Sequence, residues 1–513
     1  MNPDRPPSLI ARCALALELA ENRWVYFAVL SVLLVIILFP VGIMTGNEEE
    51  YFQLAYRTFA PEKFPAYHAS FDHSQTRFAS EYLFGFLIHF FGYSLTHIIA
   101  RIGMALFYAA GLTCFFRSLK LTVTDSLLVI VVFSLAGEQL MGEDWFFLGV
   151  ESKTLAYALL FFAFGLLNHG RWRAAIIACI AATYMHFLAG GFWSFVIFLL
   201  HWYGGRDVRA TGRALFYYSL CILPLLYLIV RGQMTSHALP QTGLTADYIY
   251  CAIRNPHHTA PFSGPSPFES FWHWLPGLVN TACMAVAMWV VIRCNKKNLM
   301  AVAALAGLVE LLLAMVISYY DRSALHLGKF YLFRPGSMSL FLVISVFVSL
   351  LLGQLSAGAR QAKAVLACTL VVAFSWWTVF NTIFFYRNHV VPEKQEVVAA
   401  VKAHTRPGDI VLIDPYSEPQ EKFLVLNREI ERPTLATWKS VPTNPEDILR
   451  WYSYIQLRNR IFETGCKNDT DVPIRWLLTL CPESIKKLSA CGPVVWRKGN
   501  FALIKMEDKT PAK

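Results

Sequence analysis

The residues best suited to chemistry lie directly after the first apolar run, in Gly46-Asn47-Glu48-Glu49-Glu50-Tyr51. Three consecutive carboxylates at a membrane boundary are costly if buried and ordinary if they open a solvated helix. A carboxylate within reach of a hydroxyl can also take its proton as the oxygen attacks a carbon centre. Glu48 and Glu49 are the candidate bases, and spacing does not choose between them and Glu50. A second acidic group follows at Glu143-Asp144-Trp145 and Glu151-Ser152-Lys153. Asp144, beside aromatic residues, suits positioning of an acceptor or of a divalent cation (Mg or Mn), or coupling to a base as a like charge. Glu151 and Lys153 suit substrate binding and equally a helix start with an interfacial ion pair.

The candidate cations lie late in the chain. Lys329-Phe330-Tyr331-Leu332-Phe333-Arg334-Pro335 offers Arg334, then Lys329, for a phosphate, where a cation neutralises a leaving group. The plain alternative is a side chain snorkelling to the interface. His186, in Tyr184-Met185-His186-Phe187, can contact a sugar or phosphate or serve as a packed helix end, with Gly190 and Gly191 fitting a tight turn. His258, with Arg254 and His257, lies in a proline-rich loop that can order over a cavity. Glu310 falls in the middle of an apolar run, where an acid is functional by default or hydrogen-bonds a neighbouring helix.

These residues need elements to hold them, and those elements read as membrane helices. Of 513 residues, 56% are hydrophobic and only 16% charged, which is outside the range of a soluble domain of this length. Apolar runs at 24–43, 95–116, 122–137, 154–168, 173–187, 191–203, 214–231, 273–293, 300–319, 336–354 and 364–386 predict about eleven spans. The run at 173–203 also reads as a broken hairpin. Glu81–Gly92 reads either as an interfacial helix or as the beginning of a long second helix. Basic residues fall in every second loop: Arg5, Arg12 and Arg23, then Arg117 and Lys120, Arg171 and Arg173, Arg206 to Arg213, Arg293 to Lys297, Arg360 and Lys363. This places the N-terminus in the cytoplasm and the C-terminus outside. It also explains the net charge of +10 without nucleic acid as a partner. The first apolar run reads as a retained helix and is not expected to be a cleaved leader.

Composition changes at residue 387. Residues 1–386 read as the membrane domain and 387–513 as a small α/β domain outside it. In the latter, Val397–His404 and Asn444–Arg460 predict helices; Asp409–Ile413, Trp476–Leu480 and Phe501–Lys505 predict strands. Cys466, Cys481 and Cys491 allow one disulfide in an oxidising compartment, with the pairing open.

The segment Asn47-Glu48-Glu49-Glu50-Tyr51-Phe52-Gln53-Leu54-Ala55 resembles the first outer loop of GT-C membrane glycosyltransferases, which include protein O-mannosyltransferases and lipid A aminoarabinose transferases. Their pattern is Asp-Glu-x-x-Tyr. Aligned on Tyr51, the Asp falls at Asn47, so the base role passes to Glu48 or Glu49. The stretch Arg432-Pro433 to Trp451-Tyr452 resembles an outer domain of little-characterised bacterial membrane proteins, a likeness that extends to Glu151-Ser152-Lys153 and His186-Phe187. The resemblance implies a bacterial inner-membrane enzyme. It would transfer sugar with inversion from a polyprenyl-phosphate donor to a glycan, lipid or protein acceptor, among membrane lipids. Its Glu48 or Glu49 would be the base, Asp144 the second acid, and Arg334 and Lys329 the phosphate ligands; no nucleotide motif is expected, and none is found. The rival readings are a transporter or flippase of lipid-linked sugars and a non-catalytic subunit of an envelope glycan assembly system.

Overall fold

The computed structural model describes residues 12, 16–20, 22–38, 44, 46–64, 77–147, 149–233, 243–263, 267–352, 355, 357–389, 391, 393–415, 424–464 and 470–507. The chain divides into two compact units. The first comprises Met1–Val41, His97–Leu228 and Cys251–Thr382; the second comprises Gly42–Thr96, Ile229–Tyr250 and Ile383–Lys513. The unit holding the C-terminal residues therefore also takes in the acidic first loop.

Helices α1 (Arg23–Leu33), α2 (Gly46–Phe59), α3 (Phe78–Ser118), α4 (Val123–Leu135), α5 (Ser152–Asn168), α6 (Trp172–Met185), α7 (Phe187–Gly205) and α8 (Val208–Gln233) make up the first half. α9 (Pro267–Cys294), α10 (Leu299–Tyr320), α11 (Gly336–Leu352) and α12 (Ala357–His389) follow. Helices are the economical choice for apolar sequence because they satisfy every backbone N–H and C=O within the segment. Among the described residues, six are long and apolar enough to cross a membrane: Phe78–Ser118, Phe187–Gly205, Val208–Arg231, Ser270–Cys294, Leu299–Tyr320 and Ala359–Phe384. The expected eleven is therefore corrected to six by this measure. The other predicted spans are apolar helices of 10–17 residues: Arg23–Ile36, Val123–Leu135, Ser152–Asn168, Trp172–Met185 and Gly336–Leu352. At a rise of about 1.5 Å per residue even the longest reaches about 26 Å, short of a hydrocarbon core of about 30 Å.

Within the first unit, α5, α6 and α7 pack consecutively, as do α9, α10 and α11, and α11 also packs on α4. Phe341 on α11 is the hub, its ring 4.9 Å from Phe161, 5.1 Å from Phe133 and 5.8 Å from Phe116. The run at 173–203 is a hairpin broken at His186. Gly190 makes no turn, contrary to expectation. It lies inside α7, and a Cβ there would meet the backbone of Ala182 and Thr183 at 2.4 Å, so the glycine lets two helices touch. Lys363, read as a loop charge, is instead buried between Glu18 (2.7 Å) and Asp125 (2.8 Å).

α3 is interrupted at Gly92 (φ 69°, ψ 171°), where two helices meet across a kink, so Glu81–Gly92 belongs to a helix of its own before the kink and does not begin one continuous long helix. Its opening turns belong to the second unit, where Phe84 packs on Phe52 of α2 at 5.5 Å. That unit also holds α13 (Lys394–His404), β1 (Ile410–Ile413), α14 (Leu424–Glu429), α15 (Pro445–Thr464), β2 (Ile474–Thr479), α16 (Pro482–Leu488), β3 (Val494–Lys498) and β4 (Phe501–Lys505). The sheet order is β1-β2-β4-β3, with β1 parallel to β2 and the other pairs antiparallel. A parallel pair needs a long crossover, which α14 and α15 supply. Alternate residues build a core on each face: Leu412, Leu477 and Ile504 with α15 and α16, Val411, Leu478 and Leu503 with α13 and α14. The expected helices and strands are present, and β3 is an addition, joined to β4 by a tight turn at Gly499 (φ 55°). Cys491 is disulfide-bonded and Cys481 is free; Cys466 lies outside the described residues.

Candidate functional site

In the first unit the polar residues converge on Asp144, in the loop between α4 and α5. That loop is held by Glu138, whose Oε2 accepts the N–H groups of Phe146 (2.8 Å) and Phe147 (3.0 Å). Burial pushes the Glu138 carboxyl above its ordinary range, and the two N–H groups oppose that. The loop turns at Gly142 (φ 79°) and Glu143 (φ 47°). A Cβ at Gly142 would sit 2.8 Å from Cβ of Phe333.

Asp144 is saturated. Its Oδ1 accepts from Lys153 Nζ at 2.5 Å and from the Trp145 N–H at 3.2 Å. Its Oδ2 accepts from the Tyr157 hydroxyl at 3.2 Å and lies 3.5 Å from Arg334 Nε. Its carbonyl accepts the Ser337 hydroxyl at 2.8 Å. Burial pushes the carboxyl up, but the Lys153 ammonium and Arg334 guanidinium outweigh burial and hold it at about 2. A carboxylate this firmly ionised is a poor proton acceptor and a good anchor for cations.

Each cation rests on an aromatic face as well, Lys153 4.3 Å from the Trp145 ring and Arg334 4.3 Å from the Tyr331 ring. Lys153 Nζ is 3.5 Å from Glu151, the N-cap residue of α5. Glu151 and Lys153 thus open a helix as an ion pair, and Lys153 also joins the cluster on Asp144. His186 caps α7, its Nδ1 facing the Ala189 N–H at 3.2 Å, while its Nε2 lies 2.9 Å from Arg334 Nη1. Both ring nitrogens face N–H donors, and a neutral imidazole accepts at only one. His258 Nδ1 donates to the Gly142 carbonyl at 2.6 Å. Burial, then the neighbouring His257, hold His258 down at about 3, so it is neutral. Lys329 sits in the 3-10 turn Gly328–Phe330, its ammonium 5.8 Å from the Phe330 ring. Lys153 is therefore the second cation on Asp144.

In the second unit the acids of α2 are buried, not solvated as the plain reading of a helix start expects. Glu48 is 0% exposed, Glu49 4% and Glu50 9%. Glu49 is taken by a two-pronged ion pair: Arg428 Nε reaches Oε2 at 2.9 Å and Nη2 reaches Oε1 at 2.9 Å. The Arg428 guanidinium also covers the Tyr93 ring at 4.7 Å. Nearby, Arg77 lies over Tyr51 at 4.7 Å and 3.7 Å from Glu81, which accepts the Thr58 hydroxyl at 2.9 Å. The commitment of Glu49 to Arg428 weakens it as a candidate base. Among the described residues no three His, Cys, Asp or Glu converge as metal ligands.

Sequence reasoning missed Tyr157, Ser337, Glu138 and Arg428. Tyr157 is one helical turn after Lys153 and so on its face, a signal that was available. Ser337 follows Arg334 by three residues. Arg428 carried no signal, being 379 residues from its partner. The residues of the C-terminal motif prove to be structural: Arg432 donates to Thr405 Oγ1 at 2.8 Å, and Trp451 Nε1 to the Thr437 carbonyl at 2.8 Å. No protein-family profile matches the chain, and no curated protein matches it.

Proposed function

We propose that the protein is a membrane glycosyltransferase of the GT-C kind. It moves a sugar from a polyprenyl-phosphate donor to a glycan, lipid or protein acceptor outside the bacterial inner membrane. One observation carries the reading: Arg334 and Lys153 are held on one buried carboxylate, Asp144, at the ends of apolar helices. Two oriented cations in a poorly hydrated setting are what a phosphate leaving group requires. Arg334 has the geometry for a bidentate grip, and accepting a phosphate lets His186 keep its helix cap, because Nη1 then has a better acceptor than the imidazole. In the reaction, the acceptor oxygen forms its bond to the anomeric carbon as the bond from that carbon to the phosphate oxygen breaks. The electron pair stays on the phosphate, balanced by Arg334 and Lys153. The acceptor proton passes to a carboxylate base, the role that the resemblance gives to Glu48 or Glu49.

Alternating basic loops support a cytoplasmic N-terminus, and the disulfide at Cys491 supports an oxidising compartment for the C-terminal part. Termini on opposite sides require an odd number of crossings, so at least one of the shorter apolar helices crosses as well.

The test is a sugar-transfer assay with the purified full-length protein and a panel of polyprenyl-phosphate sugars. Wild type is compared with Glu48→Gln, Glu49→Gln, Asp144→Asn and Arg334→Ala at matched folding. Donor consumption that disappears in Glu48→Gln or Glu49→Gln, and in Arg334→Ala, supports the transferase. Donor binding without turnover, unchanged in all four variants, overturns it in favour of a flippase or a non-catalytic subunit.

A further inference from the structure

Beside the Asp144 cluster, in the same unit, lies a cavity of about 560 Å³. That is within the range of about 300–1,000 Å³ typical of small-molecule sites. Its wall includes Gln139, Glu143, His257, His273 and Trp274. We infer that this cavity is a carbohydrate subsite, taking the sugar ring of the substrate beside the cations that hold its phosphate. This deepens the transferase reading and rests on it.

Three chain segments join the cavity to the cluster. Glu143 lines the cavity and Asp144 is the next residue. His257 lines it, and its ring is 4.0 Å from that of His258, which bonds Gly142. Trp274 lines it and rests on Phe333 at 4.7 Å, and Arg334 is the next residue. The cavity wall and the cation cluster are thus built from the same three segments of the chain.

The chemistry of the wall selects what that group is. Among the described lining residues the one fully charged type is the carboxylate of Glu143; there is no Lys or Arg. A second anion is disfavoured there, and a hydroxyl-rich ring is not. Trp274 offers an indole, whose electron-rich face attracts the C–H edge of a saturated ring. Gln139 Oε1 is buried and has no hydrogen-bond partner among the described residues. A buried acceptor in this state needs a donor, and a sugar hydroxyl supplies one. The Glu143 carboxylate and the His273 imidazole add further groups for hydroxyls.

The test reads binding separately from transfer. Full-length protein in lipid nanodiscs is titrated with methyl glycosides of glucose, mannose and galactose, with saturation-transfer NMR as readout, and inorganic phosphate is titrated in parallel. The expected result is binding of at least one glycoside, weakened about tenfold or more by Trp274→Ala and about threefold by Gln139→Ala, with phosphate binding unchanged. Trp274→Phe, which preserves the packing on Phe333, keeps part of the affinity. Glycoside binding without any sugar transfer leaves this subsite standing and sinks the transferase. Transfer activity with unaltered donor KM in Trp274→Ala and Gln139→Ala, and no glycoside signal at this wall, overturns the subsite and leaves the transferase intact.

Discussion

Arg428 closes two hydrogen bonds of 2.9 Å on the Glu49 carboxylate from a position 379 residues later in the chain. Both side chains are largely out of water, the guanidinium 16% and the carboxylate 5% exposed. The pair fixes the start of α2, and with it the neighbouring Glu48, to the helix that follows β1.

Removing either partner strands a buried charge, at a cost of about 3–5 kcal/mol. Glu49→Gln and Arg428→Gln are each expected to lower the denaturation midpoint sharply, and the double variant by much less than their sum. A double-mutant cycle in detergent measures this, and additive effects would mean that the pair does not form.

At the Asp144 cluster, Arg334→Ala is expected to lower kcat by about 100-fold, the scale for losing one oriented donor to developing charge. Arg334→Lys keeps the charge but not the fork, and should recover only a small part. Steady-state kinetics with the lipid donor decides this. Full activity in Arg334→Lys would show that charge alone matters.

His258 gives the fold a pH dependence with a definite sign. Its folded value is about 3 and its ordinary value 6.5, so the unfolded chain binds a proton that the folded chain does not across that window. Around it stand His257, Asp144, Lys153 and the Gly142 carbonyl. Stability from this group is complete above about 6.5 and declines as the pH falls towards 3. Asp144 acts lower, from its ordinary 3.8 down to about 2. Melting curves between pH 7 and pH 4 should flatten in His258→Gln; an unchanged slope would remove His258 as the source.

Gly190→Val tests the helix contact that places His186. The new side chain would start 2.4 Å from the backbone of α6. Overpacking of this kind costs about 1–3 kcal/mol, and moving α7 separates His186 from Arg334. A lower melting temperature together with a raised donor KM is expected, whereas Gly191→Ala, with nothing within 4 Å, should change neither.

Much of the architecture was legible because it rests on local pattern. Apolar runs marked the helices of the first unit. The short unbroken apolar runs in Ile410–Ile413 and Phe501–Lys505 marked two strands. The edge strand Val494–Lys498 hid because Arg497 and Lys498 interrupt its apolar character, as suits an exposed edge. Asp144, Glu151, Lys153, His186, Arg334 and His258 were each visible as residue types, but their convergence depends on four separated segments. Length misled where helices such as Val123–Leu135 are apolar yet short. Glu48 to Glu50 looked solvated because nothing in the adjacent sequence announces a partner; only the tertiary fold brings Arg428 to Glu49.

That pairing also sets an order of events during synthesis. At about 5–20 residues per second, the ribosome takes roughly 20 to 75 s to travel the 379 residues from Glu49 to Arg428. Throughout that interval the acidic helix has been made and its neutralising arginine has not. β1 also waits, though far more briefly, since its parallel neighbour β2 begins only at Ile474. The second unit is therefore assembled late, by the closure of its first-made segment onto its last-made one. A nascent chain halted before residue 428 would be left with a carboxylate that its own sequence cannot yet cover.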